Sequence, residues 1–119
     1  MANVADYRLI SDASITLRTG GDIDHSFSFN LGTAVAHSEP SILQFFYVSH
    51  SNANNLSFRL SLNGKELRTI NVNGNHFSSI HEAHSNITRN NVNQLDVRIV
   101  GGSGTVQISD IVLFVQRTV

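Results

Sequence analysis

Asn93-Gln-Leu-Asp-Val-Arg-Ile-Val-Gly-Gly-Ser-Gly-Thr-Val-Gln-Ile-Ser-Asp-Ile-Val-Leu-Phe-Val115 decides the fold class of this chain. Two runs, Gln94 to Val100 and Thr105 to Gln116, flank a glycine-rich turn at Gly101 to Gly104. Both runs are rich in β-branched residues, and apolar side chains recur at every second position, the period of a half-buried strand. The pair reads as a closing β-hairpin. Asp110 interrupts the second run. Continuing the alternation of Val106 and Ile108 puts Asp110 on the core face with Val112 and Phe114. A bulge at Ser109-Asp110 instead gives that face to Ile111, Leu113 and Val115. A buried carboxylate without partners is costly, so Asp110 is expected to meet backbone at a bulge, a cation or water. The cation reading is a structural calcium held by Asp110, Asp12 and Asp6.

Working outward, the same period recurs. Leu56, Phe58, Leu60 and Leu62 alternate with Ser57, Arg59 and Ser61. Phe27, Phe29 and Leu31 alternate with Ser26, Ser28 and Asn30, and Ile15 and Leu17 with Thr16 and Arg18. Strands with one dry and one wet side belong to antiparallel sheets packed face to face. Leu43-Gln-Phe-Phe-Tyr-Val48 is apolar on both faces and reads as a central strand covered by a loop or a neighbouring subunit. With Tyr7 to Ile10 and Thr69 to Val72, the pattern predicts about eight strands, the spacing of a sandwich or barrel. No window shows sustained helical spacing. Asn63-Gly64 marks a tight turn. A strict two-residue loop leaves Ile70 and Val72 on the wrong face, so a three-residue loop or a bulge near Leu67 is expected, pairing Phe58 with Ile70 and Leu56 with Val72. His76 to Asn93 shows no clear strand pattern and reads as a long connection or irregular edge.

The pattern Asn93-x-Leu-x-Val-x-Ile, followed by Gly-Ser-Gly-x-Val-x-Ile-Ser-Asp-Ile-x-Leu, resembles the last two strands of galactose-binding-like jelly rolls. Many carbohydrate-binding modules belong to that superfamily. Leu60-Ser-Leu-Asn-Gly64 is similar to their central hairpin. The resemblance covers the C-terminal half. Its phrase is Gly-x-Asn-x-Leu, and here Asn91 stands in the glycine position; asparagine also tolerates the left-handed conformation. The resemblance implies an all-β, antiparallel jelly-roll sandwich and a lectin-like, non-catalytic function. The chain departs from the sugar-binding members in lacking tryptophan, which leaves only Tyr7 and Tyr47 to join phenylalanine as stacking platforms.

Composition sets the outer bounds. The 119 residues fit a single domain over residues 1–119. Cysteine is absent, which excludes disulfides and thiolate chemistry. Charged residues are 14% and the formal net charge is -1. No basic stripe supports nucleic-acid binding, and no basic amphipathic segment or long apolar run points to a membrane. Neutral asparagine and serine must therefore cover much of the surface, which suits an extracellular or particle-associated β protein. Met1 to Asp6 does not have the pattern of a signal peptide.

Three constellations could carry chemistry. Two neutral-polar loops, His50-Ser-Asn-Ala-Asn-Asn55 and Asn71-Val-Asn-Gly-Asn-His76, offer amides that donate and accept at once, as sugar hydroxyls require. The expected glycan site is His50, Asn52, Asn54, Asn73, Asn75 and His76, with Tyr47 as its aromatic contact. His76, His81, Glu82 and His84 form the second constellation, of metal-ligand chemistry but without the spacing of the His-Glu-x-x-His zinc motif. On a strand His81 and His84 point to opposite faces. The third is the calcium set around Asp110. Asn55-Leu-Ser57 and Asn86-Ile-Thr88 match the glycosylation sequon, which acts only in a eukaryotic secretory pathway. No nucleophile elbow, phosphate loop or dinucleotide fingerprint occurs. The expectation is a non-enzymatic, lectin-like module with a glycan ligand. A structural or assembly subunit that forms a homo-oligomer is the alternative, and a small histidine-dependent metal-binding protein ranks below it.

Overall fold

The computed structural model describes residues 3–118, and nine antiparallel strands make up the fold. They are β1 (Asn3–Ser11), β2 (Ile15–Arg18), β3 (Asp24–Asn30), β4 (Ser41–Ser49), β5 (Asn54–Leu62), β6 (Lys65–Val72), β7 (His76–His84), β8 (Val92–Ser103) and β9 (Thr105–Thr118). One sheet runs β1-β9-β4-β7, with the short β2 also on β9. The other runs β3-β8-β5-β6. Among the described residues no helix is long and apolar enough to cross a membrane.

The two-period pattern explains why the sheets face each other. Leu43, Phe45 and Tyr47 of β4 turn inward, and so do Leu56, Phe58, Leu60 and Leu62 of β5. Leu95, Val97 and Ile99 of β8 and Leu113 and Val115 of β9 complete the interior. Tyr47 and Phe58 meet across the two sheets edge-on, with ring centroids 5.3 Å apart. Burying one such side chain contributes on the order of 1.5–3 kcal/mol.

Asp110 explains the parity of β9. Its φ is 54°, left-handed, and its side chain is exposed. Val106 and Ile108 are buried before it, Ile111 and Leu113 after it. The register with β4 slips between Gln44, opposite Val112, and Phe46, opposite Ser109. The extra residue is a bulge that moves the core face by one position, as the bulge alternative foresaw.

The closing pair of strands departs from expectation. β8 and β9 follow one another in sequence but lie in opposite sheets: β8 pairs with β3 and β5, and β9 with β1, β2 and β4. Gly101 to Gly104 is therefore an arch between sheets, not a hairpin turn. Gly102 and Gly104 have φ of 69° and 134°, conformations open to a residue without Cβ. The β5–β6 hairpin combines both readings of Asn63-Gly64. Leu62 faces Lys65 across a two-residue turn, and a bulge at Leu67 restores Phe58 opposite Ile70 and Leu56 opposite Val72. The segment expected to be an irregular connection contains β7, a regular nine-residue edge strand paired to β4 over its whole length. Glu82 and His84 occupy inward positions at that open edge, which hid the alternation. Arg68 of β6 pairs with Glu82 there and links the two sheets.

Candidate functional site

The expected loop residues do come together. The 50–55 and 73–76 loops lie at one end of the sandwich beside the glycine arch. Gly74 N–H donates to Ala53 O at 2.8 Å, and His50 N–H to Thr105 O at 3.0 Å. Half of the six expected loop side chains, those of Asn52, Asn73 and His76, are spent on holding this end in shape. Asn52 brackets Thr105, accepting from its N–H and donating to its hydroxyl, both at 3.1 Å. Asn73 accepts from Asn55 N–H at 2.8 Å. Among the described residues, the side chains of His50, Asn54 and Asn75 make no hydrogen bond. Tyr47 is a correction: its ring lies in the core, 3% exposed, and so presents no face to a ligand. It hydrogen-bonds His76 Nδ1 at 3.0 Å, and burial pushes its phenol above the usual range.

Neither metal constellation assembles. Among the described residues no group of three or more histidine, aspartate or glutamate side chains is placed to hold an ion. Asp6 lies opposite Val115, whereas Ser11, next to Asp12, lies opposite Ile111, next to Asp110. Those two pairings are four residues apart along β9, about 13 Å. Asp6 has another partner: Arg117 Nε donates to it at 2.6 Å, and this bond holds its carboxyl below the usual range. On β7 the alternation sends His81 to the outer face and His84 inward, so the histidines diverge.

A concave feature lies elsewhere, on the outer face of the four-stranded sheet. A trough of about 370 Å³ is lined by Asp24 and Ser26 of β3, Arg59 and Ser61 of β5, Asp96, Arg98 and Val100 of β8, and the Gly64 turn. Two rungs cross it. Asp24, Arg98, Arg59 and Thr69 stand in register on β3, β8, β5 and β6. Ser26, Asp96, Ser61 and Glu66 form the next. Ser26 Oγ donates to Asp96 Oδ1 at 2.5 Å, and Gln94 Nε2 donates to the same oxygen at 2.9 Å. Arg59 Nε lies 2.8 Å from Glu66 Oε1. Toward the end loops, Asn71 Nδ2 donates to Ser57 Oγ at 2.8 Å. Sequence reasoning treated these positions only as the wet face of strands. The available signal was the regular spacing of Ser57, Arg59, Ser61 and of Gln94, Asp96, Arg98, but sheet order alone puts them side by side.

No family model matches the chain, and no curated protein matches it. Solved structures do. The chain superposes on dimeric latent PorU from Porphyromonas gingivalis with a TM-score of 0.80 at 12% identity, covering 98% of this chain and 13% of that one. A β-porphyranase of glycoside hydrolase family 86 from the human gut bacterium Bacteroides plebeius gives 0.62 at 17% identity, covering 98% and 21%. This chain thus spans only a small part of those two proteins. A point mutant of a carbohydrate binding module family 29 gives 0.54 at 13% identity, covering 92% of this chain and 91% of that one. These likenesses establish the fold alone: an all-β, antiparallel jelly-roll sandwich. The similarity runs nearly the whole length of the chain, not only the C-terminal half.

Proposed function

We propose that this chain is a non-catalytic carbohydrate-binding module whose glycan lies in the trough on the four-stranded sheet. The trough itself carries the proposal. It gathers hydroxyls, carboxylates and guanidinium groups along one concave face, and such groups bind sugar hydroxyls in pairs. The fold shared with a carbohydrate binding module of similar length supports the same reading. Among the loop residues expected to bind, His50, Asn54 and Asn75 keep side chains free for a ligand reaching the end of the sheet. A glycan array followed by titration calorimetry is the test. At least one oligosaccharide should bind, with Asp96→Ala weakening it about tenfold at unchanged melting temperature. An array without any bound glycan removes the proposal.

A second reading, assembly with another copy of the chain, has one observation of its own. The outer face of the five-stranded sheet carries Tyr7, Phe114, Ile42 and Ala83 in one rung, and Leu9, Val112, Gln44 and His81 in the next. Neither rung contains Lys, Arg, Asp or Glu. Tyr7 is 67% exposed, and its ring centroid is 6.3 Å from that of Phe114. An apolar, uncharged face can meet its own copy without like-charge repulsion. Light scattering should show a dimer that Tyr7→Glu dissociates. Monomer alone at high concentration counts against it.

A further inference from the structure

We infer that the ligand of the trough carries an anionic group, a carboxylate or a sulfate ester, held between Arg98 and Arg59; this rests on the carbohydrate reading above. Arg98 and Arg59 are direct cross-strand partners on the two central strands of the sheet. Like charges placed directly opposite each other destabilise a sheet. The surroundings offset this directly on one side only, through Glu66 beside Arg59. Among the described residues, Arg98 makes no hydrogen bond and no ion pair, although Asp24 stands opposite it on β3. Arg59 uses Nε for Glu66 and for Thr69 Oγ1, leaving its terminal nitrogens free. Two guanidinium groups therefore face the same concavity with donors to spare.

Guanidinium donors form a planar fork that matches the two oxygens of a carboxylate or sulfate, and a bound anion would replace repulsion with two charge-assisted contacts. The rest of the trough suits the neutral part of a sugar. Asp96 has one oxygen taken by Ser26 and Gln94, and its second is available to a hydroxyl. Asp24 offers another carboxylate at the rim, and Val100 an apolar contact for ring C–H groups. The flanking carboxylates also keep the trough from being uniformly positive. That favours a sugar with isolated acidic groups over a dense polyanion such as nucleic acid.

Titration calorimetry with three matched oligosaccharides tests this: oligogalactose, oligogalacturonate and a sulfated galactan oligosaccharide of equal length. At least one acidic arm should bind tenfold or more tightly than the neutral arm, with affinity falling as salt rises. The arm that wins tells carboxylate from sulfate. Arg98→Gln should bring that arm to the neutral level, and Arg98→Lys should restore part of the difference. The melting temperature of Arg98→Gln should hold or rise, because the repulsion with Arg59 is relieved. Equal binding of neutral and acidic arms, or indifference of the acidic arm to Arg98→Gln, overturns the inference and leaves the carbohydrate reading standing. A lower melting temperature for Arg98→Gln also overturns it, by revealing a structural partner for Arg98. Silence in all three arms and across the glycan array overturns both.

Discussion

Asn63 donates from Nδ2 to Asn93 Oδ1 at 2.9 Å, and this amide pair ties the β5–β6 turn to the start of β8. Asn93 is fully buried. Its Oδ1 also accepts from Arg89 N–H at 2.8 Å, and its Nδ2 donates to Arg89 O at 2.9 Å. Asn63 in turn accepts from Gln94 N–H at 3.0 Å and donates to Ile87 O at 2.8 Å. Backbone groups of the long connection after β7 are thus satisfied by two side chains instead of by a ladder.

Replacing Asn93 by Ala or Leu should therefore cost about 2–4 kcal/mol, because it strands buried backbone groups as well as removing bonds. Urea denaturation measures it. Asn93→Asp should be as damaging, since it buries a charge and loses the donor to Arg89 O. A loss below about 1 kcal/mol for both variants would show that water replaces the network.

Asp110 makes a second prediction. Its side chain is exposed and its φ positive, so what the fold requires there is a left-handed residue more than a carboxylate. Asp110→Gly should be neutral within about 0.5 kcal/mol or mildly stabilising, and Asp110→Val should cost about 1–2 kcal/mol. Deleting Asp110 should still allow folding, because Ile111, Leu113 and Val115 then follow Val106 and Ile108 on the core face in simple alternation and only the bulge is lost. Circular dichroism melts separate the three outcomes.

The motif Asn91-x-Asn93-x-Leu95 now has a physical meaning. Asn91 takes φ of 68° where glycine is usual, Asn93 fills the buried amide site, and Leu95 opens the core run of β8. These local requirements are written in neighbouring residues, which is why the jelly roll was legible. So were the parity change at Asp110 and the bulge opposite Leu60, because each restores a broken alternation. Sheet membership was not legible in the same way. Nothing in Gly101 to Gly104 tells a hairpin from an arch, since both need positive φ. The trough depends on that same information: Arg59 and Arg98 are far apart in sequence and meet only through the β5–β8 pairing. The loop asparagines were found, but their side-chain bonds were invisible, and Tyr47 was misplaced because β4 is apolar on both faces.

Tyr47 gives a pH dependence with a definite sign. Burial raises its phenol above the ordinary value of about 10, while Arg68 pulls weakly the other way. The folded state therefore holds its proton at pH values where the unfolded chain has lost it. The stabilisation is complete below the unfolded value and is lost as pH rises toward the folded one. Melting temperature should fall as pH climbs past about 10, and Tyr47→Phe should flatten that fall while losing the bond to His76. An alkaline limb identical in both proteins would assign the effect to other groups.

The glycine arch makes the sharpest stability prediction. A Cβ on Gly102 would sit 2.0 Å from Asn55 O and 2.7 Å from Asn54 O, both backbone atoms at the start of β5. Neither can yield without moving that strand and, with it, the Asn55–Asn73 bond that joins the end loops. Gly20 has a similar positive φ of 78°, but a Cβ there would meet nothing within 4 Å. Gly20→Ala therefore measures the backbone strain alone, about 1 kcal/mol. Gly102→Ala adds the collision and should cost more than about 3 kcal/mol in urea denaturation. The difference between the two variants isolates the close packing of the arch against β5. Equal costs would mean that the arch is held only by its own dihedral angles, and that the chain crosses between sheets without being locked to the strand it passes.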